Sequence, residues 1–217
     1  MSSLRDLPTP QQSRAIATRT RILGATITCL TEHGVLGATT TVIARQASVS
    51  QGALYKHFPA KPLLMAAATQ QLFFGMREDF FNAAGMIAQQ PEQGHTDAIY
   101  DLLWKTYSDP RVLGVFELYL AARTDPALKR LLEPVVSEHF QAITDFARVI
   151  FPDGAKNNPD FDDTVHAILL KLHGAALMAT IMSAGPDRAA LLRKLIQRLA
   201  RQELGALDLE VMAWKKP

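Results

Sequence analysis

The sequence predicts an all-α protein. Apolar residues recur at spacings of three and four through long windows, as in Leu64, Ala68, Leu72, Phe73, Met76 and Phe80; that is the helical period. Asp109-Pro110, Asp125-Pro126 and Pro186-Asp187 each join a capping Asp to a Pro, the pairing that opens helices. No section is strand-rich and no internal repeat occurs.

Taken in order, residues 1–17 are polar with Pro8 and Pro10 and read as a flexible arm, in which Arg5 and Arg14 are available to phosphates. The first helix is expected from Thr18 to His33, stopping at Gly34. Two short helices follow between Thr39 and Phe58. A long helix starts at Pro62, where a missing N–H does no harm. Residues 89–94 read as a loop. Helices are then expected at 95–107, 110–123, 126–150, 161–184 and 187–205, with 152–159 as the longest internal loop.

At 217 residues the chain can hold one or two domains with a sizeable core. Its one cysteine, Cys29, excludes an intramolecular disulfide and reads as a buried structural thiol. The N-terminal region has no long apolar segment, so neither a signal peptide nor a membrane span is expected, and the default compartment is the cytoplasm. Net charge is only +2 but unevenly placed. Residues 1–61 hold seven Lys/Arg against two acids; the remainder holds sixteen against nineteen. A basic end on a mildly acidic body suits phosphate contact by one end.

The segment Thr39 to Phe58 is the most informative. Thr39 or Thr40 can cap its first short helix with a hydroxyl. Ile43, Ala44 and Ala47 share an inward face. Ser48-Val49-Ser50 makes the turn, and Ser50 caps the next helix, with Val49 and Leu54 at the positions of a hydrophobic staple. Leu54 and Phe58 anchor this second helix. Gln51, Tyr55 and Lys56 are left pointing elsewhere, and Gly52 and Ala53 permit close approach to another surface. Two short helices around a tight turn, the second presenting hydrogen-bonding side chains, are the build of a helix-turn-helix that reads the DNA major groove.

Residues 19–65 resemble the DNA-binding domain of the tetracycline-repressor (TetR) family of bacterial regulators. The resemblance rests on Ile22-Leu23-Gly24-Ala25, Gly34-Val35, Ile43-Ala44, Ala47-Ser48-Val49-Ser50, Gly52, Leu54-Tyr55, His57-Phe58, Lys61 and Leu64 at the family's spacings. Gly24 departs from the usual helix former, and Ser48 stands where the family has Gly. If Ser48 is left-handed, it carries a backbone penalty that Gly avoids. The resemblance implies a DNA-binding domain at 18–61 and a helical effector-binding and dimerisation domain at 62–217. It implies phosphate contacts by Tyr55, His57 and Lys61, and base-edge contacts near Gln51, Gly52, Ala53 and Lys56. Thr39, Thr40, Thr41, Arg45 and Ser50 complete the expected DNA-binding set, with one of the three threonines facing DNA.

For the body, Trp104, Tyr107, Phe116, Tyr119, Arg123, His166 and Met178 are candidate lining residues of a pocket for an apolar or amphipathic small molecule. Pairing through the final two long helices is implied by the family. Leu169, Leu172, Ala176, Leu192, Leu195 and Leu199 are the candidate interface of a homodimer reading a palindromic operator. His166 and His173, seven apart, lack a third ligand, so neither a metal nor a cofactor is expected. No phosphate-cradling Gly-rich loop, HExxH or G-x-S-x-G occurs, which disfavours an enzyme. The expected function is a ligand-responsive transcriptional repressor, cytoplasmic and on the bacterial nucleoid when bound to DNA. A helical carrier or enzyme with a vestigial head, and a protein-interaction module, are the alternatives.

Overall fold

A computed structural model describes residues 9–90, 94–181, 194, 195, 197, 198, 201–204 and 207–209. Helix α1 spans Pro10–Gly37, eight residues earlier than the arm expected at 1–17 allows. The cause is a capping box. Thr9 accepts from the Gln12 N–H at 3.3 Å, Gln12 reaches back to the Thr9 N–H at 2.8 Å, and Pro10 sits at the start. Residues 11–17 are exposed all round, so no apolar stripe marks them as helical. The helix kinks at Gly34, whose φ of 65° favours glycine.

The remaining helices are α2 (Thr40–Gln46), α3 (Gln51–His57), α4 (Lys61–Ala88), α5 (His95–Tyr107), α6 (Pro110–Ala122), α7 (Pro126–Ile150), α8 (Pro152–Asn157) and α9 (Phe161–Ala179). The Asp-Pro starts work as expected at two places. Asp125 accepts from the N–H groups of Ala127 and Leu128, and Asp109 accepts from the Arg111 N–H. The third, Pro186-Asp187, lies outside the described residues. Helix α8 falls in the stretch expected to be a loop. Gly154 within it meets the Leu204 backbone so closely that a Cβ would stand 2.0 Å from that carbonyl oxygen.

The chain forms two compact units. The first comprises Met1–Leu72 and Gly114–Glu133; the second comprises Phe73–Leu113 and Pro134–Pro217. The boundary therefore differs from the expected division at residue 62. In the first unit, Ile22, Cys29, Leu30, Ile43, Leu54, Leu64, Met65 and Leu118 form a buried core. The Cys29 thiol is 1% exposed, and burial raises its pKa first, with Glu32 adding to the shift, so it stays protonated. Buried Thr26 and Thr69 satisfy their hydroxyls on carbonyls four residues back. In the second unit, Phe80, Ile99, Tyr100, Ile150, Phe161, Leu169 and Leu172 form a separate core.

Two residues in the first unit oppose their local backbone. Ser48 is the one described non-glycine residue with positive φ, at 52°. Gly24 sits inside α1 with nothing within 4 Å of where a Cβ would project. Ser48→Gly should relieve a left-handed penalty of about 1 kcal/mol. Gly24→Ala should contribute roughly 1 kcal/mol through helix propensity. Urea denaturation of each variant checks both, and neither change should alter the slope against urea.

Candidate nucleic-acid interface and effector cavity

Helices α2 and α3 have seven residues each, so their ends decide whether they form. Thr39 caps α2 by accepting from the Val42 N–H, and Ser50 caps α3 by accepting from the Ala53 N–H at 3.1 Å. The turn between them closes through Ser48 and Val49, whose N–H groups bond the Arg45 and Ala44 carbonyls at 3.0 Å. Leu54 is 1% exposed and Phe58, the C-cap, is 3% exposed. Arg19 lays its guanidinium over the Phe58 ring at 4.3 Å.

With Leu54 turned inward, Gln51, Gly52, Tyr55 and Lys56 remain in solvent, while Ala53 and His57 are half-buried. Thr39, Thr41, Arg45 and Ser50 are also exposed. The three threonines divide their work. Thr39 is the cap, Thr40 shares a 3.2 Å hydrogen bond with the Tyr55 hydroxyl, and Thr41 accepts from the Gln51 amide. The last two bonds tie α2 to α3 and hold Tyr55 and Gln51 in place.

Lys61 has a second job. Its ammonium donates to the Val35 carbonyl at 3.2 Å, and it is half-buried, with desolvation lowering its pKa. The Val35 N–H donates to the Glu117 carboxylate at 2.7 Å. Both backbone polar groups of Val35, in the two peptide units that flank its Cα, are thus held by charged side chains. A Cβ at Gly34 would stand 2.6 Å from the same carboxylate, which would have to swing aside, and the φ of 65° disfavours any side chain there in its own right.

The second unit contains an apolar cavity of about 80 Å³. Its walls include Met76, Arg77 and Phe80 from α4, Tyr100 and Tyr107 from α5, His139 and Ile143 from α7, and Leu172 from α9. Of the seven candidates only Tyr107 lines it. Phe116, Tyr119 and Arg123 belong to the first unit, where Phe116 and Tyr119 pack with ring centroids 6.0 Å apart and Arg123 is exposed. Trp104 packs on the second core without reaching the cavity, His166 bonds Thr144 at 3.2 Å, and Met178 is 48% exposed. Sequence reading missed His139, Arg77 and Tyr100. The available signal was a polar residue on an apolar stripe: His139 falls in register with Leu132, Ile143 and Ile150.

His139 is 2% exposed and stacks on Phe73 with centroids 3.8 Å apart. Arg77 Nη1 lies 3.3 Å from its Nδ1, and Arg77 also meets Glu138 at 3.7 Å. Burial, then the charge of Arg77, then His173, push the His139 pKa down to about 3. Burial alone pushes His173 down to about 4.

The expected dimer face also needs correction. Leu169, Leu172 and Ala176 are 3%, 1% and 3% exposed, inside their own subunit's core. A core leucine cannot also face a partner. The outward side of α9 carries Leu170, Leu177, Met178 and, just beyond it, Ile181, all exposed. Leu195 is exposed, whereas Leu192 and Leu199 lie outside the described residues.

Residues 22–68 match the family described as bacterial regulatory proteins, tetR family. An uncharacterized HTH-type transcriptional regulator of Mycobacterium tuberculosis is 31% identical over 79% of this chain and 87% of its own length. The chain belongs to the TetR family. CymR of Pseudomonas putida, another HTH-type regulator, is 25% identical over 77% of this chain and 81% of its own. Among solved structures, the multidrug binding protein EbrR in complex with ethidium aligns with a TM-score of 0.59 at 27% identity, covering 84% of this chain and 97% of that one. A Rhodococcus TetR-family protein aligns with a TM-score of 0.65 at 18% identity, covering 86% and 98%; it speaks for the fold alone.

As a TetR-family chain, this protein is a DNA-binding transcriptional regulator, and its relatives are regulators rather than enzymes. Among the described residues, no helix is long and apolar enough to cross a membrane.

The geometry separates Lys56 from Lys61. Lys56→Ala should relax base preference within each half-site and leave stability unchanged. Lys61→Ala should weaken binding to all DNA, flatten the salt slope by about one unit and, because it removes a charge-assisted bond to a backbone carbonyl, cost about 1 kcal/mol of folding stability as well. Anisotropy titrations across salt, paired with urea melts, distinguish the two. The histidines set an acid response. The unfolded imidazole binds its proton near pH 6.5, the folded one only near 3 or 4. Between those values the unfolded state holds more protons, so stability rises with pH and is lost as pH falls through the window. Replacing His139 with Phe should therefore reduce the loss between pH 7 and pH 5 by about 2 kcal/mol. Urea melts at both pH values measure it.

Proposed function

We propose that this TetR-family regulator is a ligand-responsive repressor, a cytoplasmic homodimer that leaves a palindromic operator when a small molecule enters the second unit. The observation that carries the reading is the cavity: an apolar space with His139 and Tyr100 on its walls, in a chain whose α3 presents a polar face. EbrR, a structural relative, has been solved with ethidium and with imidazole. Helix α4 offers a physical route. It begins with Lys61, which holds Val35, and carries Met76, Arg77 and Phe80 on the cavity wall. A ligand that binds one arrangement of α4 better than another shifts the population by that difference, and DNA binding responds by linkage.

On DNA, Gln51 and Lys56 reach base edges, and Tyr55, His57, Lys61 and Arg45 reach phosphates. Selection from a random DNA pool with the purified protein should return a palindrome whose half-sites reflect two α3 helices on a two-fold axis. Recovery of no preferred sequence rejects the operator reading. Gln51→Ala should relax preference at one base pair per half-site.

The dimer forms through the outward side of α9. Leu170, Leu177, Met178 and Ile181 follow helical spacing and expose apolar surface that a second copy would cover. Leu177→Glu places a charge in that contact without touching the subunit core. It should give a folded monomer by sedimentation and circular dichroism, with operator affinity reduced by at least tenfold. A wild-type monomer at micromolar concentration would refute the assembly.

A further inference from the structure

The cavity in the second unit offers an occupant no hydrogen bond. Phe80, Phe81, Ile143, Phe146, Leu169 and Leu172 supply rings and methyl groups, and no polar atom opens onto the space. The wall residues that have polar ends keep them elsewhere. Thr106 donates to the Leu102 carbonyl at 2.8 Å. Arg77 is held by His139 Nδ1 and by Glu138. The Tyr100 hydroxyl and His139 Nε2 are closed off by packing, so only the carbon faces of those rings line the space.

That surface decides what can enter. A hydroxyl, carboxylate or ammonium would leave water and find no partner, and burying such a group unpaired costs affinity, most of all when it is charged. Water fares no better, since it needs several polar partners of its own. A hydrocarbon loses nothing on entry and gains contact with atoms that otherwise face a void. Size sets a second limit. An apolar cavity of about 150 Å³ holds benzene or a xenon atom, and this one is about 80 Å³. It admits xenon as it stands. A single ring enters when Met76, an unbranched and adaptable side chain on the wall, gives way.

We propose that the ligand of this site is a compact, uncharged hydrocarbon no larger than a single ring, held by apolar contact alone, and that the same skeleton is refused once it carries a hydroxyl or a charge. This rests on the reading of the cavity as an effector site.

The test uses the full chain with xenon, toluene, phenol, benzoate, benzylammonium and naphthalene, and follows the methyl signals of Ile, Leu and Val by NMR. Toluene should bind about tenfold or more tightly than phenol, which has nearly its shape, and neither benzoate nor benzylammonium should bind. Naphthalene, though more apolar, should bind more weakly than toluene. Xenon and toluene should shift the methyls of Ile143, Leu169 and Leu172 and leave those of exposed Leu170 and Leu177 in place. Ala147→Val and Val165→Ile add carbon to the wall at two points. Toluene should bind about threefold or more weakly in at least one of them, with circular dichroism still that of the folded protein. Comparable binding of phenol, binding of either ion or tighter binding of naphthalene overturns the proposal while a site for another effector stands. Shifts confined to Leu170 and Leu177, toluene affinity unchanged in both variants, or no binding of xenon and toluene overturns it as well. If toluene binds as expected and operator affinity does not change, the hydrocarbon site is supported and it is the effector reading that fails.

Discussion

Seven residues make barely two turns of helix, and a helix that short does not persist alone in water. The DNA-facing part of this protein is built from two of them. Their existence depends on Thr39 and Ser50, each satisfying an orphan N–H at a helix start, and on the few apolar side chains that reach the core. α3 itself buries only Leu54, with Phe58 closing it. That economy leaves the rest of the helix free to be polar. A more firmly packed α3 would have fewer positions for reading DNA.

The Val35 backbone adds a second constraint. Its N–H is taken by Glu117 of α6 and its carbonyl by Lys61 of α4, so three elements of the first unit meet at the backbone of one residue. Both partners are charged, and charge-assisted bonds to backbone are the stronger kind. A lysine matched to a family's phosphate contact thus also braces the fold, and its energy divides between the two tasks. The Gly34 kink makes the arrangement possible, since its φ of 65° is one that side chains rarely adopt, and a Cβ there would also crowd the carboxylate.

Much of the DNA-facing half was legible because its physics is local. Caps, the staple, the left-handed Ser48 and the inward Leu54 are all decided within a few residues, and local pattern reports them. The start of α1 was missed for a related reason: Gln11 to Ala17 are exposed all round, so the helix there has a cap but no apolar stripe. The body was less legible because its helices are apolar on more than one side. In α9, Leu169 and Leu172 turn inward while Leu170 and Leu177 turn out, and periodicity alone cannot choose between them. The aromatic candidates did not converge on one cavity, because an inventory of aromatic residues gives no addresses. Phe116 and Tyr119 pack in one unit, Tyr100 and Tyr107 in the other.

The units do not follow the chain as a bead follows a string. Their boundaries fall inside α4, α6 and α7, between Leu72 and Phe73, Leu113 and Gly114, and Glu133 and Pro134. Pro134, exposed within α7, marks the last of these, where a residue without an N–H interrupts the helical ladder. A hybrid regulator made by splicing at residue 62 would cut through the first unit's own core. It would leave Leu64, Met65 and Leu118 facing side chains that evolved beside other neighbours. Transplanting the DNA specificity of this protein onto a relative's sensor therefore means moving a discontinuous piece, residues up to Leu72 together with Gly114–Glu133, so that Glu117 travels with Val35.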